Sequence, residues 1–228
     1  MTFQKNPATL VNVFERLTPE ACYWAGVLAT DGCMSNSMGK KTVAFSCCDL
    51  DLTTGFAHFI GGTVTKKTAE NGVGRDQWRT RVVRPNAFDF LVALGITERK
   101  SLTLAVSPIL AASRDFWRGA VDGDGSVVCR DGKYFAMNLA SSSSVFINQF
   151  LLYLRTLGLI YERQVKPQRS GNDHYVVTLA GISCLQLLKE LYTDPCFALS
   201  RKKILADACI ALEPFYVRGR LRLRAVSA

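Results

Sequence analysis

The chain has only two histidines, His58 and His174, and none of its eight cysteines forms a C-x-x-C pair. Zinc sites ordinarily gather thiols at that spacing or cluster imidazoles. Cys22, Cys33, Cys47, Cys48, Cys129, Cys184, Cys196 and Cys209, several of them in apolar runs, therefore read as reduced, buried thiols. No apolar run reaches the length of a membrane span, and no charged-then-apolar leader opens the sequence, so a soluble, intracellular protein of cytoplasm or organelle matrix is expected. Acidic residues are in deficit: the net charge is +9, which points to a polyanionic partner without choosing between DNA, RNA and a membrane surface. The 228 residues, 48% of them hydrophobic, suffice for one large domain or two small ones with real cores.

What the chain does have is one pattern twice. Tyr23–Cys33 reads YWAGVLATDGC, and Phe116–Val127 reads FWRGAVDGDGSV. Aligned on the Asp-Gly pair, Trp24 matches Trp117, Gly26 matches Gly119, Asp31 matches Asp124 and Gly32 matches Gly125, all at one offset. Each copy reads as a helix ending in an acid and running into a strand. Gly26 and Thr30 are four apart, as are Gly119 and Gly123, so small residues line one stripe of each helix. Such stripes let backbones approach closely, and the two helices are expected to pack on each other. Gly32 and Gly125 stand where a helix exit often takes a left-handed residue. Asp31 and Asp124 then lie at the helix pole that already carries partial negative charge, and pairing the helices would bring the two acids together. A fold selected for stability alone would avoid both; divalent cations would relieve them.

The two copies resemble the paired motifs of the LAGLIDADG homing endonuclease family in its single-chain, two-repeat form. WAGVLATDG and WRGAVDGDG match the nine-residue motif at its Gly, Asp and final Gly positions. The sixth position is Asp122 in the second copy and Ala29 in the first; the acid that matters in the family is the eighth, and both copies keep it. The resemblance covers nearly the whole chain apart from its two ends. It implies two sheets forming a saddle over the DNA major groove, and site-specific double-strand cleavage of a long asymmetric target, typical of an intron- or mobile-element-encoded enzyme. It also implies a pseudo-symmetric monomer with no obligate protein partner, and Mg2+ as cofactor, with Mn2+ or Ca2+ able to substitute in the site. Asp31 and Asp124 would be metal ligands, joined by the carbonyls of Thr30 and Gly123. Arg99-Lys100 and Arg201-Lys202 resemble the short Arg-Lys element late in each family repeat, which carries Lys100 and Lys202 over as catalytic contributors. The second lies farther along its half than the first.

Taken in order, Thr18 and Pro19 open a helix to about Thr30. Strands follow near Cys33–Met38 and Thr42–Cys47, then a helix over Asp49–Ile60 capped by Asp49 or Asp51 and ended by Gly61. Strands near Thr63–Thr68 and Gln77–Val83 precede a helix from Pro85 to Leu94. The second half replays this, with strands near Ser126–Arg130 and Lys133–Ala140, a helix to Leu157, strands near Ile160–Lys166 and His174–Leu179, and a helix over Ile182–Tyr192. A last helix opens at Ser200. The predicted class is α+β: two pseudo-symmetric αββαββα repeats, each a four-stranded antiparallel sheet with helices on one face. The expected divisions are an N-terminal segment 1–17, a first repeat 18–107, a linker 108–113, a second repeat 114–213 and a basic tail 214–228. In that tail Arg218, Arg220, Arg222 and Arg224 alternate, as a disordered basic arm or an edge strand would.

Gln77–Val83 is the most legible strand. Trp78, Thr80 and Val82 fall on one face and Gln77, Arg79 and Arg81 on the other. A solvated sheet surface would look similar, but Arg, Lys and Gln are also the side chains that read guanine and adenine edges. The candidate DNA contacts are Ser35, Ser37, Lys66, Gln77, Arg79 and Arg81 in one half, and Arg130, Asn138, Arg163, Gln164 and Tyr175 in the other. Which face of the last two strands points outward stays open, since both are mixed. His58 and His174 do not repeat and read as non-catalytic, with His174 a candidate to face nucleic acid. Two other readings compete with the endonuclease: a DNA-binding protein without catalysis, and an intron RNA maturase. An intein fragment is set aside, since Met1 and Ala228 are not splice-junction residues.

Overall fold

The computed structural model describes residues 12–68, 76–130, 134–167 and 171–213, with two further backbone pieces at 216–217 and 220–221. The predicted Asn71-Gly72 and Asp131-Gly132 turns, most of the first segment and most of the arginine-rich tail lie outside the described residues. The first half runs α1 (Pro19–Thr30), β1 (Gly32–Ser37), β2 (Lys40–Cys47), α2 (Leu50–Ile60), β3 (Val64–Lys67), β4 (Gln77–Val83) and α3 (Pro85–Ala93). A short 3-10 turn at Lys100–Leu102 and the four-residue α4 (Pro108–Ala111) lead to the second half. That half repeats the order with α5 (Arg114–Asp124), β5 (Ser126–Arg130), β6 (Tyr134–Ser141), α6 (Ser144–Thr156), β7 (Glu162–Pro167), β8 (Asp173–Ala180) and α7 (Gly181–Tyr192). Then come α8 (Ser200–Ala211) and a two-residue pair, β9 (Tyr216–Val217) and β10 (Arg220–Leu221). The α+β class and the doubled αββαββα order are those expected from the sequence.

The axis of the molecule is α1 against α5. Thr18 caps α1 by accepting from the Ala21 amide at 3.1 Å, and Ser113 caps α5 by accepting from Phe116 at 3.3 Å. A Cβ on Gly26 would lie 2.1 Å from the Phe116 carbonyl oxygen, and one on Gly119 would lie 2.0 Å from that of Tyr23. The contact is therefore backbone on backbone and reciprocal, as the spacing of small residues predicts. Gly123 meets Thr30 likewise: an added Cβ would be 2.1 Å from Thr30 Oγ1. The expected left-handed exits are not found. Neither Gly32 nor Gly125 has positive φ, and Gly125 is extended at φ −84°. Glycine is needed there for space, because a Cβ would strike the carbonyls of Leu28 and Val121 at 2.5 and 2.6 Å.

Each sheet is antiparallel throughout, in the orders β1-β2-β4-β3 and β5-β6-β8-β7. Met38 and Gly39, both at positive φ (50° and 74°), close the first hairpin in the conformation that two-residue turns favour. Inward residues such as Met34, Val43, Phe45 and Val82, or Phe135, Met137, Leu139 and Val177, pack against the helices. Trp24 and Trp117 play the same part in the two cores. Trp24 stacks near Phe56 of α2 (5.6 Å), and Trp117 near Phe146 and Phe150 of α6 (5.3 and 4.9 Å).

The halves also exchange segments. Phe197, between α7 and α8, packs on Trp24 (4.8 Å) and Tyr23 (5.3 Å) of the first half, and its ring fills the space beside Gly55. Arg201 then grips both oxygens of Asp49 (3.0 and 3.1 Å), so Asp49 stands at the N-cap of α2 without making a side-chain cap bond. In return Ser143, capping α6, donates to the Leu104 carbonyl at 2.7 Å, and Gln149 brackets the amide and carbonyl of Val106 at 3.0 and 2.6 Å.

Gly26→Ala and Gly119→Ala each force α1 and α5 apart along their whole contact. Each is expected to cost about 3 kcal/mol or more in urea unfolding, at the upper end for an overpacked core.

Candidate metal and nucleic-acid site

Because α1 and α5 touch at their glycines, their C-terminal ends arrive together. Asp31 and Asp124 come within hydrogen-bonding reach of each other, and both remain open to solvent. Burial of the surroundings and then the Asp124 charge push Asp31 up to about 6, against the pull of Lys202 and Lys100. Burial also raises Asp124, with the same two lysines acting the other way. The predicted charge conflict is therefore present at the place expected.

Lys100 and Lys202 lie beneath this pair, 8% and 2% exposed. Lys202 Nζ donates to the carbonyls of Val121, Asp122 and Gly125 at 2.6–2.8 Å, with Gly123 at 3.4 Å. Lys100 Nζ donates to the Gly32 carbonyl at 2.5 Å. Lys202 thus sits on the negative pole of α5, and Lys100 beside the end of α1, on the first carbonyl of β1. Burial lowers Lys100 and brings Lys202 down to about 8. The structure brings together all four residues singled out as catalytic, and shows the lysine hydrogen bonds spent on backbone.

A cleft opens on either side of the acid pair. One, of about 290 Å³, is bordered by Thr30, Lys100, Asp124, Ser142 and His174. The other, of about 540 Å³, is bordered by Asp31, Cys47, Asp49, Gln77, Gly123 and Arg201. They are counterparts. Cys47, the last residue of β2, pairs with Trp78, and Ser141, the last of β6, pairs with Tyr175. Gln77 and His174, one residue earlier in each case, hold equivalent places. Asp49, Arg201 and Ser142 are neighbours of the site that sequence reasoning missed, for they reach it only through contacts between halves or through a loop. Asp122, the extra acid of the second motif copy, also borders the second cleft, but its carboxylate is spent inside the protein. It is buried and accepts from the Tyr23 hydroxyl (2.8 Å), the Tyr192 hydroxyl (2.7 Å) and the Leu199 amide (2.7 Å).

The register settles the faces of both sheets. In the first, Ser35, Ser37, Gln77, Arg79 and Arg81 lie on the face away from the helices. Lys66 does not: it pairs with Trp78 on the helix side, its ammonium 5.7 Å from the Trp78 ring and 2.6 Å from Asp76. Lys67, opposite Gln77, takes the outward place instead. In the second sheet Arg130, Asn138 and Gln164 point outward, with His174, Val176 and Thr178. Arg163 and Tyr175 share the inner side, at the edge of the sheet, with the guanidinium 5.3 Å from the ring. A shift of one residue inverts a strand's faces, and edge positions with long side chains carry little pattern to fix it.

Among the described residues, no three His, Cys, Asp or Glu side chains converge to hold a cation. Two exposed carboxylates meeting beside backbone carbonyls are nevertheless a hard-oxygen donor set, incomplete on the protein side as magnesium sites that also use water and phosphate commonly are. The residues present fit such an ion.

Residues 111–192 match the model of the LAGLIDADG-like domain. The first half repeats its LAGLIDADG fold, and solved structures match across both halves. The structure of I-DmoI in complex with DNA and Ca aligns with a TM-score of 0.58 at 10% identity, over 86% of this chain and 99% of that one. The homing endonuclease I-WcaI bound to its DNA recognition sequence gives 0.57 at 13% identity, over 86% and 87%. The N-terminal LAGLIDADG domain of DUF199/WhiA gives 0.51 at 10%, over 86% and 93%. No curated protein matches the chain by sequence.

A carboxyl group whose pKa rises from 3.8 unfolded to about 6 folded adds stability that is complete below the lower value and lost as pH climbs through the higher. In divalent-free buffer, Asp31→Asn is therefore expected to melt above the wild type at pH 7.5, with the gap closing toward pH 4.5. Calorimetry of both proteins across that range checks it.

Proposed function

We propose that this chain is a site-specific DNA endonuclease that hydrolyses both strands of a long asymmetric target with the help of Mg2+. The observation that carries the reading is the meeting of Asp31 and Asp124, one from each repeat, at abutting helix ends between two sheets whose outer faces are largely basic or neutral. Structural likeness to I-DmoI and I-WcaI, whose structures include DNA, supports it.

Divalent cations held there would neutralise the scissile phosphate, supply a nucleophile near neutral pH and stabilise the leaving oxygen. Asp31 and Asp124 would hold the ion, with the carbonyls of Thr30 and Gly123 beside them. Lys202, its donors engaged by carbonyls, acts through charge, while Lys100 donates to the Gly32 carbonyl and borders the cleft at Asp124; both offset the negative charge that builds on the phosphate. The clefts on either side, one at Gln77 and one at His174, give each strand its own place. Ser35, Ser37, Gln77, Arg79 and Arg81 would contact one half-site, and Arg130, Asn138 and Gln164 the other. Lys66, Arg163 and Tyr175, set toward the helices at sheet edges, would reach backbone phosphate at most.

Asp31→Asn and Asp124→Asn are expected to abolish cutting in Mg2+ while leaving target affinity within about threefold, since neither carboxylate contributes favourably to phosphate contact. A nicking and gel-shift assay on a target selected from randomised duplexes reads both. Cutting at the wild-type rate by either variant would overturn the assignment, and target binding without cutting by the wild type would favour a non-cleaving binding protein. Arg79→Ala or Arg81→Ala should cost about 1–3 kcal/mol at one half-site and relax base preference there alone.

A further inference from the structure

The two outer sheet faces differ in one respect that general DNA attraction does not explain. Across the first sheet the outward side chains include Lys40, Lys67, Arg79 and Arg81 and no acid among the described strand residues. Across the second, Glu162 is the single outward acid among the described strand residues, and it stands on the edge strand β7. It is exposed, and among the described residues no cation pairs with it. Near a phosphate backbone an unpaired carboxylate costs affinity. It is tolerated where it accepts from a base amino group, and cytosine N4 in the major groove is the usual partner of Glu.

Its setting supports that use. Glu162 pairs with Thr178, Thr178 with Asn138, and Asn138 with Ser126, so four polar side chains form one row across the whole sheet. The row beyond it is apolar, Val128, Ala136 and Ala180, and the row before it is Ala140 and Val176 ending on Gln164. Gln164 Nε2 donates to Glu162 Oε1 at 2.9 Å, which orients the carboxylate and leaves Oε2 to accept elsewhere. The amide oxygen of Asn138 is buried with no hydrogen-bond partner, so the row still has an acceptor to satisfy. In the first sheet the corresponding row, Cys33, Ala44 and Arg81, ends on a pure donor. Arg81 stands at the place of Thr178, so the first row carries a donor where the second carries a hydroxyl with the Glu162 acceptor beside it on the edge strand.

We propose that Glu162 is a specificity-determining residue that selects a cytosine in the half-site under the second sheet, held in position by Gln164. This rests on the DNA-binding reading above. An alternative use of the acid is to guard an exposed sheet edge against pairing with another chain, which would need no base contact.

The test is a binding selection with the full chain on randomised duplexes in Ca2+, comparing wild type, Glu162→Gln and Glu162→Ala. The wild type is expected to enrich a motif with cytosine fixed at one column of one half. Glu162→Gln should move that column alone from cytosine toward adenine, since an amide reads adenine bidentately, and Glu162→Ala should flatten it, each by roughly tenfold or more. If both variants gain affinity for all duplexes alike while every column stays as it was, Glu162 only repels phosphate or guards the edge, and the proposal is wrong. If the wild type enriches no motif at all, the DNA-reading function fails first and takes this inference with it. Unchanged melting temperatures for both variants would exclude misfolding as a cause of either result.

Discussion

Two helix backbones in van der Waals contact set the geometry of everything around them. The contact exists because Gly26 and Gly119 leave no Cβ between each helix and the other's carbonyls. A closer pair of axes brings the C-terminal ends closer too, and the last side chains there are carboxylates. Helix poles and like charges both oppose this arrangement. The protein offsets the first and leaves the second. Lys202 covers the carbonyls at the end of α5, and Lys100 reaches the carbonyl just past the end of α1. The carboxylates, by contrast, form no ion pair among the described residues and stay exposed. Stabilising the poles while leaving the acids unpaired makes sense if the missing charge comes from outside the chain.

Beneath the pseudo-symmetry runs an asymmetry in how the halves are tied. The sixth motif position is Asp122 in α5 and Ala29 in α1. Asp122 collects Tyr23 from the first half and Tyr192 and Leu199 from the segment around α7 and α8. Arg118, one turn earlier and fully buried, holds the same segment through the carbonyls of Phe197 and Leu191 and pairs with Asp115 at 2.6 Å. That segment then places Phe197 on Trp24 and Arg201 on Asp49. The polar core of α5 therefore works at a distance, by fixing the stretch that clasps the first half. A buried network with its partners in place suits this role, because loss of any one member leaves the others unpaired.

Much of this was legible in the chain itself, for reasons that differ from residue to residue. The helix pair could be read because steric closeness demands small residues at fixed spacing, and no other side chain substitutes for them. The faces of β4 could be read because Trp78, Thr80 and Val82 alternate cleanly with Gln77, Arg79 and Arg81. Lys66 was set on the wrong face, and the faces of Arg163 and Tyr175 stayed open, because their strands, β3, β7 and β8, lie at or next to a sheet edge, where long amphipathic side chains satisfy either face. Gly32 and Gly125 were correctly marked as special, but the cause is crowding against Leu28 and Val121 rather than backbone handedness. Asp49 looked like a helix cap from local spacing. Its actual partner, Arg201, is separated from it by 152 positions, and no local pattern could supply that. Asp122 was invisible as a structural residue for the same reason.

Charge is shared unequally between the two sheets, and under the proposed function this bears on how one molecule would address two half-sites. Outward Lys40, Lys67, Arg79 and Arg81 would give the first sheet several places to neutralise phosphate or read guanine. The second sheet sets Arg130, Lys166 and Glu162 among Val128, Ala136, Ala140 and Val176, a less basic surface with apolar patches suited to thymine methyls. Association driven by counterion release would then be concentrated at the first half-site, while discrimination at the second depends on fit. Because the clasped segments hold the halves together, energy gained at one sheet also orients the other. The acid pair between them stays aligned whichever sheet engages first, so long as the contact of α1 with α5 is intact.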